Sequence, residues 1–300
     1  MLSEQAKQIR EMIKTEIAPK FTAGIPLEVQ RQATENFSKL NPLPENVRVE
    51  PVTAGGVPAE WVCGEDAASD KVLLHLHGGG LVMGSCKSHR AAAAGWSLGT
   101  GARVLLPDYR LAPENPPPAA IEDAVAAYRW LVSSGIKPED MMITADSAGG
   151  CLAMAALVWL RDAGDPLPAA TALVSPMVDY AVTGESTTTR AEADFWLDKE
   201  QLMKVSEWYC CGMDPKSPMI SPLYADLKGL PHTYIVAGVD EVLLSDATRL
   251  ADRLGNAGVG VTLELCPGMW HVFPGFAAFV PEAMQSTERI GAFVRSKLFR

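Results

Sequence analysis

A side chain that is to attack a carbonyl needs a turn that exposes it, a base beside it and donors for the charge it creates. Residues 141–150, MMITADSAGG, supply the turn: an apolar strand pattern runs into Asp146-Ser147-Ala148-Gly149-Gly150, and a helical pattern follows at once. A serine at such a junction stands at the carboxyl edge of a sheet, with unpaired N–H groups of the following helix beside it. Tight turns need small neighbours. Gly149 meets that need two residues after Ser147, whereas Ala145 stands where the G-x-S-x-G pattern has glycine. Taken alone, the segment also reads as an ordinary small-residue turn before a helix.

The second feature is LHLHGGGLVMGS (74–85), in which three glycines follow an apolar run. Backbone N–H groups there are unobstructed and can donate to a developing oxyanion. A phosphate cradle is disfavoured, since neither G-K-[ST] nor G-x-G-x-x-G is present. His75 and His77 share one strand face, but no third ligand stands at a suggestive spacing, so no metal is expected; His77 is expected to brace the glycine loop. The third feature is order. After Ser147, the run TYIVAG leads to Val239-Asp240-Glu241, and VTLELC leads to Gly268-Met269-Trp270-His271. Both polar groups fall just beyond strand ends, where open α/β sheets place their sites. Ser, then Asp, then His is the chain order of one known triad arrangement. Asp240, Glu241 or Asp246 could each instead cap the helix that follows.

The elements that must position these residues alternate. The runs 72–76, 102–107, 141–145, 170–175, 233–238 and 261–266 are short and rich in Val, Leu and Ile, as strands buried on both faces of a parallel sheet are. Helical faces lie between them, marked by Ile121, Val125, Tyr128 and Val132 and by Leu250 with Leu254, and Gly164 reads as a left-handed helix stop. VRVEPV (47–52) and VPAEWVC (57–63) flank Ala54-Gly55-Gly56 as a hairpin. The expectation is an α/β fold of about eight mostly parallel strands with helices on both faces. Before it, the first forty or so residues read as helices broken at Pro19 and Pro26. Residues 183–215 interrupt the alternation with helical, aromatic-rich sequence carrying Phe195, Trp196, Trp208 and Tyr209, either extra core or a lid.

A formal charge of −10 disfavours nucleic acid and anionic membrane surfaces as partners. Six irregularly spaced cysteines suggest neither a zinc site nor a disulfide framework, and no run approaches a membrane span, so a cytoplasmic protein is expected.

LHGGG, PDYRLAPE (107–114), the D-S-A-G-G turn and the Asp and His positions together resemble the hormone-sensitive-lipase-like (bacterial family IV) esterases of the α/β-hydrolase superfamily. The similarity spans roughly residues 45–300. It implies a serine carboxylesterase for short- to medium-chain esters working through an acyl-enzyme, with Ser147, His271 and Asp240 as triad and Asp246 as a secondary acid candidate. It further implies an oxyanion hole from the N–H groups of Gly79, Gly80 and Ala148, and no cofactor. Asp108, Tyr109 and Arg110 match a motif that braces the glycine loop. The implied organisation is cap helices over 1–45, a catalytic domain over 46–182 and 216–300, and a cap insertion over 183–215 lining a substrate pocket with Phe195, Trp196 and Trp208. A homodimer is expected by the same analogy. Lactone or amide hydrolysis by the same triad is the alternative, and a non-catalytic small-molecule receptor on the same fold is a more distant one.

Overall fold

The computed structural model describes residues 2–36 and 42–299; residues 1 and 37–41 of the expected cap segment 1–45, and residue 300, lie outside them. Eight strands form one sheet: β1 (Val47–Ala54), β2 (Val57–Gly64), β3 (Ala68–Leu76), β4 (Ala102–Pro107), β5 (Met141–Asp146), β6 (Ala170–Val174), β7 (Thr233–Gly238) and β8 (Val261–Cys266). Their order is β1-β2-β4-β3-β5-β6-β7-β8. β1 and β2 form the expected hairpin, closed by Gly55 and Gly56 at φ 64° and 92°. That pair of positive angles matches the right-handed strand twist and favours glycine. β2 meets β4 antiparallel, and every later pairing is parallel.

β6 and β7 are buried at every residue and β5 at all but its last. Successive strand residues point to opposite faces, so such burial means that helices cover both sides of the sheet. Those helices are α3 (Cys86–Thr100), α4 (Ala119–Ser133), α5 (Gly149–Ala163), α8 (Leu244–Asn256) and α9 (Pro281–Leu298), with α3 packed against α9 and α4 against α5. α5 ends at Gly164 (φ 78°), the stop read from sequence. β8 departs from expectation. It is an edge strand with Leu263 and Leu265 each more than a third exposed, because none of the described strands pairs beyond it. A short apolar run looks the same at an edge as in the middle of a sheet.

The chain lays β4 on one side of β3 and β5 on the other. Loops leaving the carboxyl ends of β3 and β5 therefore diverge, and the crevice between them is where open α/β sheets bind ligands. The glycine loop and Ser147 follow those two strands. At the N-terminus, α1 (Glu4–Met12) continues through Ile13–Ile17 into α2 (Leu27–Glu35), with Ile13 and Ile17 buried. The 183–215 segment contains α6 (Ser186–Thr189) and α7 (Lys199–Cys210).

Candidate active site

Ser147 occupies the turn between β5 and α5 at φ 50°, a left-handed conformation costly for a side-chain-bearing residue. Its N–H donates to the Val174 carbonyl (2.9 Å), and its carbonyl accepts from Met177 (2.9 Å). The end of β6 thus holds the strained residue from both sides. Gly149 is obligatory: a Cβ there would stand 2.0 Å from the Leu76 carbonyl oxygen. Ala145, wholly buried in β5, is accommodated between Leu76 and Leu173 on the neighbouring strands.

His271 reaches this serine from the loop after β8. Its Nε2 lies 3.0 Å from Ser147 Oγ, and its ring is almost completely buried. The group on the other ring nitrogen corrects the sequence expectation. Glu241 Oε2 lies 3.1 Å from His271 Nδ1, while Asp240 turns away to pair with Arg10 of α1 (3.1 Å). The loop after β7 is pinned to the histidine loop by Val239 N–H to Cys266 O and Asp240 N–H to Met269 O, which points the next side chain inward. Which of two adjacent carboxylates faces the site is set by the phase of that turn, and Arg10 stands 230 residues from its partner. The secondary candidate Asp246 is buried elsewhere, accepting the N–H groups of Val178 (2.8 Å) and Asp179 (3.0 Å).

Glu241 is fully buried, and its second oxygen accepts from the Ser175 hydroxyl (2.7 Å) and the Gly238 N–H. The carboxylate therefore has a donor on each oxygen, as a buried charge requires.

The glycine loop passes beside the serine, and a Cβ on Gly78 would stand 3.0 Å from Ser147 Cβ. Gly79 and Gly80 take φ 107° and 68°, and among the described residues the N–H groups of Gly79, Gly80 and Ala148 find no acceptor. His77 and Tyr109 hold the loop from behind. The Tyr109 hydroxyl donates to the His77 carbonyl (2.7 Å), and His77 Nδ1 donates to the Gly78 carbonyl (2.8 Å). The imidazole is stacked between Tyr109 and His89, and burial pushes its pKa down to about 3, so it serves as a neutral brace. Asp108 accepts from Cys86 at the start of α3, and Arg110 pairs with Asp123.

Of the aromatic residues read as pocket candidates, Trp196 comes edge-on to His271, with ring centroids 6.0 Å apart. Phe195 stands one layer back, between the Arg10 guanidinium and Trp270. Trp208 lies half-buried under the Lys204 ammonium. The buried stripe of α7 is Leu202, Val205 and Tyr209, and Val205 packs so closely on the loop that a Cβ on Gly80 would meet it at 2.5 Å. The i, i+3, i+7 spacing of those three was the available signal for this face. The 183–215 segment is stitched to the acid loop by Asp194, whose carboxylate accepts from Trp196, Leu197 and Val242. Burial raises the Asp194 pKa, opposed by those three N–H groups.

A family model described as the alpha/beta hydrolase fold matches residues 73–275. The chain is 41% identical to an acetyl-hydrolase of Streptomyces hygroscopicus, over 99% of this chain and 98% of that one. It is 34% identical to an esterase of Acinetobacter venetianus, covering 89% and 88% of the two chains. Among solved structures, an esterase of the bacterial hormone-sensitive lipase family superposes with a TM-score of 0.94 at 42% identity, covering 99% of each chain. EstE5, soaked with p-nitrophenyl butyrate, superposes with a TM-score of 0.94 at 41% identity over 99% of this chain and all of that one.

Proposed function

Since this chain belongs to the α/β-hydrolase-fold family, within which its relatives include esterases of the bacterial hormone-sensitive lipase family, we propose that it hydrolyses short- to medium-chain carboxylic esters through a Ser147–His271–Glu241 triad. The observation that carries the reading is the unbroken relay from Ser147 Oγ to His271 Nε2 (3.0 Å) and from His271 Nδ1 to Glu241 (3.1 Å). Ser147 Oγ attacks the ester carbonyl as His271 Nε2 takes its proton. Glu241 keeps the other imidazole N–H oriented and stabilises the imidazolium. The N–H groups of Gly79, Gly80 and Ala148 receive the oxyanion. Each such donor is typically worth about 3 kcal/mol of barrier. His271 then protonates the leaving alcohol, and water repeats the sequence on the acyl-serine, with His271 as base. Ser147→Ala and His271→Ala are each expected to remove nearly all p-nitrophenyl acetate turnover from folded protein. A purified Ser147→Ala protein at wild-type rate would refute the mechanism.

The described residues of 1–45 and 183–215 act as the cap over a catalytic domain made of the described residues of 46–182 and 216–300. In support, Trp196 meets the imidazole, Val205 meets the glycine loop, and Arg10 joins α1 to the Ala193 carbonyl. Short acyl chains suit the closeness of Val205 to Gly80. The open edge of β8, with Leu263 and Leu265 exposed, pairs with a second copy to form a homodimer, which light scattering tests. No described helix is long and apolar enough to cross a membrane. The free state of all six cysteines suits a reducing cytoplasm, and cell fractionation tests that location.

A further inference from the structure

One buried side chain joins the two loops that carry the acid and the base. Ser175 follows β6 in a left-handed conformation (φ 46°), with its N–H on the Val236 carbonyl (2.7 Å) and its side chain out of solvent. Its hydroxyl lies 2.7 Å from Glu241 Oε1 and 3.0 Å from the Val272 nitrogen. The polarity of these bonds is forced. A backbone N–H only donates, so the Ser175 oxygen accepts from Val272, and the serine proton is left to point to Glu241. Val272 is the residue after His271 and is itself left-handed at φ 49°. A closed circuit results: His271 Nδ1 donates to Glu241, Ser175 donates to Glu241, and the histidine loop donates to Ser175.

We propose that Ser175 is a positioning residue for the acid–base pair, fixing the orientation of the Glu241 carboxylate and the seat of the His271 loop at once. This rests on the triad reading above. Without the hydroxyl, Glu241 Oε1 keeps only the Gly238 N–H, and the carboxylate is free to rotate off the imidazole. The Val272 N–H, half-buried, loses its side-chain acceptor, and the loop holding the base loosens. Ser175 and Glu241 are both closed off from solvent behind His271, so the loss is expected to fall on the chemical step.

The test is a double-mutant cycle on p-nitrophenyl acetate hydrolysis with Ser175→Ala, Glu241→Gln and the pair, each checked by thermal melting. Ser175→Ala is expected to lower kcat by about 10- to 100-fold with KM within about twofold. The same substitution in the Glu241→Gln background is expected to cost at least about threefold less than in wild type, because the carboxylate it orients is already gone and only the seat of the His271 loop remains to be lost. Ser175→Cys, a weaker donor of similar size, is expected to fall between the two and covers the case in which Ser175→Ala does not fold. Equal losses from Ser175→Ala in both backgrounds, a change confined to KM, or wild-type kcat in Ser175→Cys and Ser175→Ala would overturn the proposal. An active Glu241→Gln enzyme would instead overturn the triad assignment beneath it.

Discussion

Substituting the two adjacent acids separately divides the sequence reading from the geometry. Glu241→Gln keeps shape and volume but presents an amide N–H₂ to His271 Nδ1 if its oxygen remains on Ser175 and Gly238. The imidazole must then carry its proton on Nε2, facing Ser147, and can no longer accept from the serine. An asparagine in the corresponding role of a serine protease costs about 10⁴ in kcat for this reason. A loss of about 10³ to 10⁴, or roughly 4–5 kcal/mol of barrier, is expected. Asp240→Asn breaks only the pair with Arg10, whose two side chains are 22% and 31% exposed. Such pairs contribute about 0–1 kcal/mol of stability, so its kcat is expected within about fivefold of wild type. The assay is kcat/KM for p-nitrophenyl acetate on variants of matched melting temperature. A severe loss at Asp240 with a mild one at Glu241 would refute the reasoning.

Gly149→Ala places a methyl 2.0 Å from the Leu76 carbonyl oxygen and should displace the nucleophile turn, with activity down more than about 100-fold and a lower melting temperature; an unchanged enzyme would contradict this. Burial pushes the Asp246 pKa up to about 7, against the N–H groups of Val178 and Asp179. The folded chain therefore holds a proton that the unfolded chain releases near its ordinary value of about 4. The stability this group contributes is full below about pH 4 and is lost as pH rises through about 7. Asp246→Asn should thus gain on wild type between pH 4 and 8, by up to about 4 kcal/mol in denaturant titrations; a pH-independent difference would count against it. Trp196→Ala opens the space beside His271 and should move the preferred p-nitrophenyl ester to longer acyl chains, an outcome that an unchanged C2 to C16 profile would deny.

Much of this was legible in the residues because it depends on local pattern. The strand into Ser147, the three glycines and the hairpin at Gly55-Gly56 are dictated by a few neighbouring φ angles and side-chain sizes, and each stands where the pattern put it. What escaped depends on contacts across the chain. Nothing local says that Asp240 will find Arg10 while Glu241 turns inward, since one residue of turn phase decides it. In the sequence Ser175 is the end of an apolar run, and its bonds to Glu241 and Val272 arise only because three strand ends converge. Leu263 and Leu265 looked like core because hydrophobicity does not record whether a strand has one neighbour or two.

The central claim is that Ser147, made nucleophilic by His271, carries the acyl group. Titration with a fluorophosphonate probe, followed by intact mass and peptide mapping, tests it most directly. One adduct per chain on Ser147 is expected, with activity falling in step with labelling and no labelling of Ser147→Ala or His271→Ala. Ester hydrolysis that continues with Ser147 fully modified, or an inactivating adduct on another residue, would contradict it.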